Sequence, residues 1–204
     1  MAESDEQKKK KVKESLRLQG LKRREGQPPG EIKRKSRLIK EKLFGLSEYK
    51  KAETIMFYMA KSGEVETEGM IQESLEDKKR VVVPKVKGEE LVASELLDIG
   101  RDLQKGAFGI KEPNDDAVRQ VPLNEIDLVI LPGVAFDLKR NRLGYGRGYF
   151  DRFLEKLSRK TQKVGIAFEL QIVKRIPSLK HDQVLDKVVT EERIIEKRIV
   201  EGEE

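Results

Sequence analysis

Short apolar runs alternate with amphipathic segments along most of the chain, and this alternation predicts strands and helices in turn. The apolar runs that predict strands lie at 54–59, 80–84, 91–97, 127–131, 164–168, 188–190 and 194–195. Apolar residues at helical spacing predict helices at about 31–45, 65–79 and 147–159. Strands that alternate with helices in this way are typical of the α/β class.

The first elements after residue 50 fit one β-α-β unit. A strand at 54–59 is followed by a helix with Thr67 as its predicted N-cap and by a strand that we expect to end at Pro84. The segment 98–125 is rich in turn residues and is predicted to be irregular. We therefore expect one domain over 1–204, a three-layer α/β/α sandwich with a mostly parallel, Rossmann-like sheet.

The N-terminal segment, residues 1–45, is predicted to be helical and to pack on this α/β body. Its first part, 3–25, has few apolar positions, which predicts an exposed helix that packs by one narrow edge, formed by Val12, Leu16, Leu18 and Leu21. The residues GQPPG at 26–30 then break the chain before the second helix.

The positive charge of the protein is concentrated in this segment. Residues 1–40 contain 14 Lys and Arg against 6 Asp and Glu, a net charge of +8, whereas the remaining residues carry −2. Such a segment is typical either of a nucleic-acid-binding module or of an enzyme with anionic substrates. Because the sequence shows no helix-turn-helix, RNP or zinc pattern, we expect small-molecule partners and no nucleic acid.

Composition excludes several kinds of site. The chain has no cysteine and one histidine, His181, which excludes disulfides, thiolate zinc sites and multi-histidine metal sites. Any metal ion must therefore be held by oxygen ligands, and we expect His181 to be a surface or loop residue. No apolar stretch is long enough for a membrane span or a signal peptide, so we expect a soluble cytoplasmic protein.

A glycine-rich stretch follows the buried strand at 127–131, at the edge where ligands of parallel sheets bind. Glycines at 144, 146 and 148 permit positive φ angles, and Arg142 and Arg147 provide forked donors that suit phosphate oxygens. A helix that begins after this stretch adds its positive end, which predicts an anion site. The stretch is neither a Walker A motif nor a dinucleotide fingerprint, and the alternative interpretation is a flexible turn with incidental arginines.

The same stretch resembles a known family. PGVAFD at 132–137 and NRLGYGRGYFDRFL at 141–154 resemble the signature of the 5-formyltetrahydrofolate cyclo-ligase family, also called the 5,10-methenyltetrahydrofolate synthetase family. Other segments that resemble it are KESLR at 13–17, GEVET at 63–67, FGIKEP at 108–113, HD at 181–182 and DKVVT at 186–190.

The resemblance implies an activity. It implies that the protein converts 5-formyltetrahydrofolate to 5,10-methenyltetrahydrofolate, with ATP as co-substrate and Mg²⁺, and releases ADP and phosphate. The formyl oxygen would first be phosphorylated, and the second folate nitrogen would then close the ring. Phosphoryl transfer asks a protein chiefly for positioning and charge neutralisation, so no general base is expected. We expect a monomer or a weak dimer.

The resemblance also implies site residues. Those implied to bind ATP are Lys13, Arg17, Arg142, Leu143, Gly144, Tyr145, Gly146, Arg147, Gly148, Tyr149 and Phe150. Those implied to act in catalysis are Arg142, Arg147 and Tyr149. Those implied to bind the folate are Met59, or Tyr58 in its place, Glu64, Phe108, Tyr145 and Tyr149. Asp151 and Asp182 would hold Mg²⁺.

Several of these residues also have a purely structural interpretation. Lys13 and Arg17 could belong to a solvated helix face, and Asp151 could simply favour a helix start. In the same way Asp182 could be a turn residue, Met59 or Phe108 a core residue and Glu64 a loop charge.

The chain departs from the family pattern at three points. Phe150 stands where the family usually has a second tyrosine, Arg147 stands where glycine or lysine is frequent, and GQPPG is an unusual break after the first helix. A different ATP-dependent kinase or ligase on the same loop is the second enzyme hypothesis.

Overall fold

The computed structural model describes residues 4–106, 109–179 and 182–197. Its helices are α1 Asp5–Glu25, α2 Pro29–Gly45, α3 Ser47–Lys51, α4 Glu68–Glu76, α5 Ile99–Asp102 and α6 Tyr149–Glu155. Its strands are β1 Thr54–Met56, β2 Arg80–Lys87, β3 Glu90–Leu96, β4 Leu103–Lys105, β5 Lys111–Pro113, β6 Leu128–Leu131, β7 Ala135–Asp137, β8 Arg142–Leu143, β9 Gln162–Ile166, β10 Ile172–Val173, β11 Lys187–Val189 and β12 Ile194–Glu196.

The large sheet has the strand order β12-β11-β9-β6-β1-β2-β3. β11, β9, β6, β1 and β2 run parallel to one another, and only the outermost strands, β12 and β3, pair antiparallel to their neighbours. The mostly parallel sheet predicted from the sequence is therefore confirmed. The chain moves from β1 to β2 on one side and later to β6 on the other, so the sheet changes direction at the β1–β6 boundary.

Helices cover both faces of this sheet, which confirms the three-layer arrangement. On one face, α2 and α4 contribute Ile39, Leu43, Met70 and Ile71 to a core that they share with the sheet residue Ile55. On the other face, α6 contributes Phe153 and Leu154 to a second core, with Met56, Val129 and Leu131 of the sheet. Every residue of β1 and β6 is buried. Because successive strand residues point to opposite sides, both faces of these two strands are covered.

The predicted end of β2 was wrong for an identifiable reason. β2 does not end at Pro84 but continues to Lys87, with Pro84 opposite Ala93 of β3. β1 pairs with β2 only as far as Val82, so a missing proline N–H beyond that point costs no hydrogen bond to β1. Thr67 is the N-cap residue of α4, as predicted, but its hydroxyl donates to the carbonyl of Tyr58 at 2.7 Å and makes no capping bond to the helix.

Helix α1 packs by a narrow edge, as predicted, but only part of the predicted apolar edge belongs to it: Leu16 and Leu21 are half-buried, and Leu16 packs against a small core cluster. Val12 and Leu18 are exposed, at 47% and 66%, and the buried residues of α1 are Lys13, Gly20 and Arg24. A Cβ atom on Gly20 would lie 2.8 Å from the carbonyl oxygen of Val134, so glycine allows α1 to approach the body closely. The helix therefore turns cationic side chains inward. Within the described ranges, none of the helices has the length and apolar character that crossing a bilayer requires.

The segment after β3 is held by the buried carboxylate of Asp102. It accepts hydrogen bonds from the backbone N–H groups of Leu97, at 3.0 Å, and Asp98, at 3.2 Å, and from Nη1 of Arg119, at 2.8 Å. Burial raises the pKa of Asp102, but the bonds from Arg119 and the two N–H groups outweigh burial and lower this pKa below its usual value.

We expect Asp102→Asn to reduce the free energy of unfolding by about 1 kcal/mol at pH 7, because Arg119 is partly exposed and solvent screens its contact. A carboxylate with a lowered folded-state pKa stabilises the fold above its unfolded-state pKa and loses this contribution as pH falls through the folded-state pKa. The difference between variant and wild type, measured by urea unfolding, should therefore shrink below about pH 4. Asp116→Asn, at an exposed position in the same segment, is the control. A difference independent of pH would contradict this account.

Candidate active site

The candidate site lies at the carboxyl edge of the sheet, where the chain segments that follow β1 and β6 separate. Parallel sheets bind ligands at such a point because the chain segments that follow the two strands separate and leave a crevice. The structure has two cavities here, of about 610 and 380 Å³, within the usual size range of ligand pockets. They share Pro132, Tyr145, Arg147 and Phe150 as lining residues. The glycine-rich loop, residues 144–148, thus contributes to the wall between them.

The larger cavity, which we call the polar cavity, is bounded by α1, the glycine-rich loop and the start of α6. Its lining contains more cationic than acidic side chains: the cations are Lys10, Lys13, Arg17, Arg142, Arg147 and Arg152, and the acids are Glu14, Asp151, Glu155 and Asp182. The net positive lining favours an anionic ligand.

Arg142 is carried into this cavity by a tight turn between β7 and β8. The carboxylate of Asp137, which is fully buried, accepts hydrogen bonds from the backbone N–H groups of Lys139, Asn141 and Ile176. It also accepts from the side-chain amide of Asn141. These bonds satisfy the buried carboxylate and fix the turn immediately before Arg142.

Arg142 is 7% exposed and forms an ion pair with Asp151 at the start of α6. Its Nη2 lies 2.5 Å from Oδ1 of Asp151, and its Nη1 donates to the carbonyl of Pro132 at 3.3 Å. The guanidinium carbon also lies 5.7 Å from the ring centroid of Phe150. The arginine is thus oriented by three partners on the wall of the polar cavity.

Helix α1 supplies the opposite wall with Lys13 and Arg17. Nζ of Lys13 lies 2.5 Å from Oδ2 of Asp182, and Nε of Arg17 donates to the carbonyl of Gly144 at 2.9 Å. The unusual GQPPG break therefore does not turn these two residues away from the site.

The carboxylates of Asp151 and Asp182 line the same cavity, which is what a shared metal ion would require. In the part of the chain that the structure describes, no cluster of three or more His, Asp or Glu side chains could hold a metal ion alone. Mg²⁺ usually takes only one or two protein carboxylates, with water and phosphate oxygens as its other ligands. The two aspartates therefore fit Mg²⁺ that arrives with a nucleotide, and they do not form a metal-binding cage.

The glycine-rich loop has the backbone geometry that its sequence predicts at two of its three glycines. Gly146 has a φ angle of +97° and Gly148 one of +69°, a region that favours glycine. Helix α6 begins directly after the loop, at Tyr149, although it is shorter than the predicted 147–159.

The smaller cavity, which we call the apolar cavity, lies on the other side of this loop. Most of its lining surface is apolar, although five of its fourteen lining residues are charged. The lining residues are Tyr58, Met59, Lys61, Glu64, Pro84, Val86, Leu91, Ile110, Lys111, Glu112, Pro132, Tyr145, Arg147 and Phe150. Tyr58 and Met59, the two alternatives for one predicted folate contact, both line this cavity. A mostly apolar cavity with a few polar groups suits a planar organic ligand.

Glu64 is the best-anchored charged group of the apolar cavity. It is 6% exposed, and its Oε1 accepts a short hydrogen bond from the hydroxyl of Tyr145. Nη1 of Arg24 lies 3.4 Å from the same oxygen, and Oε2 accepts from the backbone N–H of Lys61 at 3.0 Å. The carboxylate is therefore held in one orientation.

The tyrosines and the lysine beside Glu64 have perturbed pKa values. Burial, followed by the charge of Glu64, raises the pKa of both Tyr145 and Tyr58 well above the usual value, so both hydroxyls stay protonated and can donate. Burial lowers the pKa of Lys61, and the charge of Glu64 partly offsets this effect. Nζ of Lys61 lies 3.3 Å from the centroid of the Tyr145 ring.

The residues named from the sequence are divided between the two cavities. Those that line only the polar cavity are Lys13, Arg17, Arg142, Leu143, Gly144, Gly146, Gly148, Tyr149, Asp151 and Asp182. Met59 and Glu64 line only the apolar cavity. Tyr149, expected at both ligands, is thus not among the lining of the apolar cavity. Phe108 and His181 lie outside the described residues.

Sequence reasoning missed several residues of this site, among them Lys10 and Arg152 of the polar cavity and, beside Glu64, Arg24 and Lys61. Arg24 lies eleven positions after Lys13, and residues 13, 17, 20 and 24 share one helix face, so a search for polar rather than apolar periodicity could have found it. Lys61 follows β1 at the carboxyl edge of the sheet. The rule that ligands bind at this edge identified the loop after β6, and it could have identified Lys61 in the same way.

Comparison with known proteins links this site to one family. The sequence model of the 5-formyltetrahydrofolate cyclo-ligase family matches residues 9–191. The chain is similar to mouse (Mus musculus) 5-formyltetrahydrofolate cyclo-ligase, with 30% identity over 172 residues that cover 78% of this chain and 83% of the relative. It is similar to the Escherichia coli K12 protein of the same name, with 33% identity over 71% of this chain and 81% of the relative.

Two solved structures have a similar fold. The NMR structure of Aquifex aeolicus 5,10-methenyltetrahydrofolate synthetase superposes with a TM-score of 0.81 and 34% identity, and the match covers 95% of both chains. A 5,10-methenyltetrahydrofolate synthetase from Mycoplasma pneumoniae superposes with a TM-score of 0.72 and 26% identity, over 88% of this chain and 98% of that one.

Proposed function

Because this chain belongs to the 5-formyltetrahydrofolate cyclo-ligase family and is a ligase, we propose that it cyclises 5-formyltetrahydrofolate to 5,10-methenyltetrahydrofolate with consumption of ATP. We propose further that ATP phosphorylates the formyl oxygen, with release of ADP. The second folate nitrogen then attacks the activated carbon and loses its proton, and the phosphate departs with the former formyl oxygen.

The observation that carries this proposal is the pair of adjoining cavities with the glycine-rich loop between them. One cavity has a net cationic lining and the other is mainly apolar with a buried carboxylate. A reaction between a triphosphate and a heterocycle requires two adjoining sites, because the γ-phosphate must reach the formyl oxygen.

On the nucleotide side, the residues of this chain bind and orient. Lys13, Arg17 and Arg142 converge on the polar cavity from two directions, and their fixed charges suit phosphate oxygens. Arg147 lines both cavities and is therefore placed to face the transferred phosphoryl group. Such positioned charge is the main protein contribution to phosphoryl transfer.

The metal site is proposed from the donor set. Asp151 and Asp182 would hold Mg²⁺ when it is bound with the nucleotide, and each is already oriented by a neighbouring cation. The ion would supply neutralisation of the negative charge on the phosphates.

On the folate side, Glu64 and the aromatic lining of the apolar cavity would orient the substrate. A pterin ring presents adjacent N–H donors, and an ionised carboxylate accepts such a pair well. The rings of Tyr145 and Phe150, together with Met59, offer apolar surface for the ring. Phe150 has no hydroxyl, so any contact that a tyrosine makes at this position in relatives is missing here.

The test is a coupled measurement of product and of atom transfer. Purified protein with Mg-ATP and 5-formyltetrahydrofolate should produce the methenyl-folate absorbance, with one ADP and one phosphate per product, and a chelator should stop the reaction. With ¹⁸O in the formyl group, the label should appear in the released phosphate. Label retained elsewhere would contradict the phosphorylated intermediate, and ADP release with a different acceptor alone would favour another ATP-dependent enzyme.

A further inference from the structure

Arg24, near the end of α1, is a buried cation that lines neither cavity. It is 4% exposed, and its Nη1 lies 3.4 Å from Oε1 of Glu64. Its guanidinium carbon lies 5.5 Å from the ring centroid of Tyr145. Among the residues that the structure describes, none is a hydrogen-bond partner of its Nε. The guanidinium thus reaches the apolar cavity from behind its lining.

Glu64 and Tyr145 form the polar corner of the apolar cavity, and Arg24 contacts both. The hydroxyl of Tyr145 donates to the same carboxylate oxygen that faces Arg24, and the Tyr145 ring has Lys61 against it at 3.3 Å. A carboxylate that is held in this way keeps its other lone pairs in fixed directions. The orientation of Glu64 in the cavity therefore depends on a residue that no ligand in the cavity would touch.

We propose that Arg24 is a positioning residue for the folate: it fixes Glu64 and Tyr145 in the orientation that binds the heterocycle. This inference rests on the proposed function, since it takes the ligand of the apolar cavity to be a folate. Helix α1 then has two roles: it provides Lys13 and Arg17 to the polar cavity, and Arg24 to the polar corner of the apolar cavity.

Arginine suits this position for a physical reason. Its planar fork can contact the carboxylate and lie against an aromatic ring together, whereas the compact ammonium of lysine cannot reproduce both contacts. Arg24→Lys therefore removes the geometry and keeps the charge, so that Glu64 is not left as a buried charge without a partner.

The experiment measures two dissociation constants by calorimetry, one for 5-formyltetrahydrofolate and one for Mg-ADP. We expect Arg24→Lys to weaken 5-formyltetrahydrofolate binding about tenfold, the cost of a charge-assisted hydrogen bond, and to change Mg-ADP binding less than twofold. Arg23→Lys, on the exposed side of the same helical turn, is the matched control and should bind both ligands as the wild type does.

A double-mutant cycle with Glu64→Gln shows whether Arg24 acts through Glu64. If it does, adding Arg24→Lys to Glu64→Gln should weaken 5-formyltetrahydrofolate binding less than twofold further. Arg24→Met in the Glu64→Gln background leaves no carboxylate unpaired and gives the same comparison should Arg24→Lys fail to fold. Tyr145→Phe, which removes the other donor to the same oxygen, should also weaken 5-formyltetrahydrofolate binding.

The outcomes separate this inference from the proposed function. A wild-type protein that does not bind 5-formyltetrahydrofolate overturns both. If the wild type binds 5-formyltetrahydrofolate and the Arg24→Lys variant binds it equally well, only the role of Arg24 is overturned. The same holds if the losses of affinity from Arg24→Lys and Glu64→Gln simply add in the double variant. An equal loss for both ligands would show that Arg24 merely supports the fold.

Discussion

Asp151→Asn should reduce kcat/KM on the order of 10³-fold, the largest effect that we expect from a single change in this site. The amide keeps the shape of the side chain but has no charge to balance a divalent ion. It also removes the anionic partner of Arg142, whose Nη2 lies 2.5 Å from Oδ1 of Asp151. Initial rates over a range of Mg²⁺ concentrations should show a raised metal requirement as well as a lower rate.

Binding of Mn²⁺ with ADP, followed by electron paramagnetic resonance, gives a second measurement that does not depend on turnover. The variant should bind Mn²⁺ more weakly and remain folded. We expect its free energy of unfolding to fall by about 1–2 kcal/mol, because Arg142, whose side chain is 4% exposed, loses its anionic partner. Asp116→Asn, an exposed position away from both cavities, is the control. A fully active variant with an unchanged metal requirement would remove Asp151 from the metal site.

The centre of the main sheet could be predicted from the sequence because β1 and β6 are buried on both faces. Continuous apolar runs such as 127–131 have few alternatives once turn residues bound them, and the ligand edge follows from parallel strand direction. The small sheet of β7, β8 and β10 was not predicted, because β7 and β8 lie in a stretch whose glycines and arginines indicate a loop, and the two residues of β10 show no period.

The orientation of α1 could not be predicted for a different reason. Hydrophobic patterns identify the buried face of a helix only when that face is apolar, and the buried positions of α1 are Lys13, Gly20 and Arg24. The partners that make their burial tolerable are distant in sequence: Asp182 pairs with Lys13, and Glu64 with Arg24. Only the folded chain brings these charges together.

This difference also explains which candidate residues the sequence identified from local chemistry. The arginines, glycines and aspartate of 141–151 lie in one segment of the chain, so the sequence alone indicates that they form one binding site. The polar corner of the apolar cavity combines α1, the segment after β1 and the glycine-rich loop, and its residues Arg24, Glu64 and Tyr145 have no common motif.

Arg142→Met should weaken Mg-ADP binding about 10²-fold and leave 5-formyltetrahydrofolate binding within about twofold of the wild type. Methionine has a similar length and fills the space beside Phe150, but it donates no hydrogen bonds and carries no charge. Arg142 lines only the polar cavity, which is why we expect the effect to be selective. Calorimetric titration with each ligand in turn measures it.

Stability must be measured on the same variant, because Arg142 is 7% exposed and its removal leaves Asp151 without this partner. We expect a decrease of about 1–2 kcal/mol in the free energy of unfolding, since Asp151 keeps access to water. Arg142→Lys retains the charge without the fork and should lose only about tenfold in Mg-ADP affinity. Arg159→Met, which removes an exposed arginine after α6, is the control for net charge. A selective loss of Mg-ADP affinity would support a contact between Arg142 and the nucleotide phosphates. Unchanged Mg-ADP affinity in a folded Arg142→Met protein would show that Arg142 does not bind them.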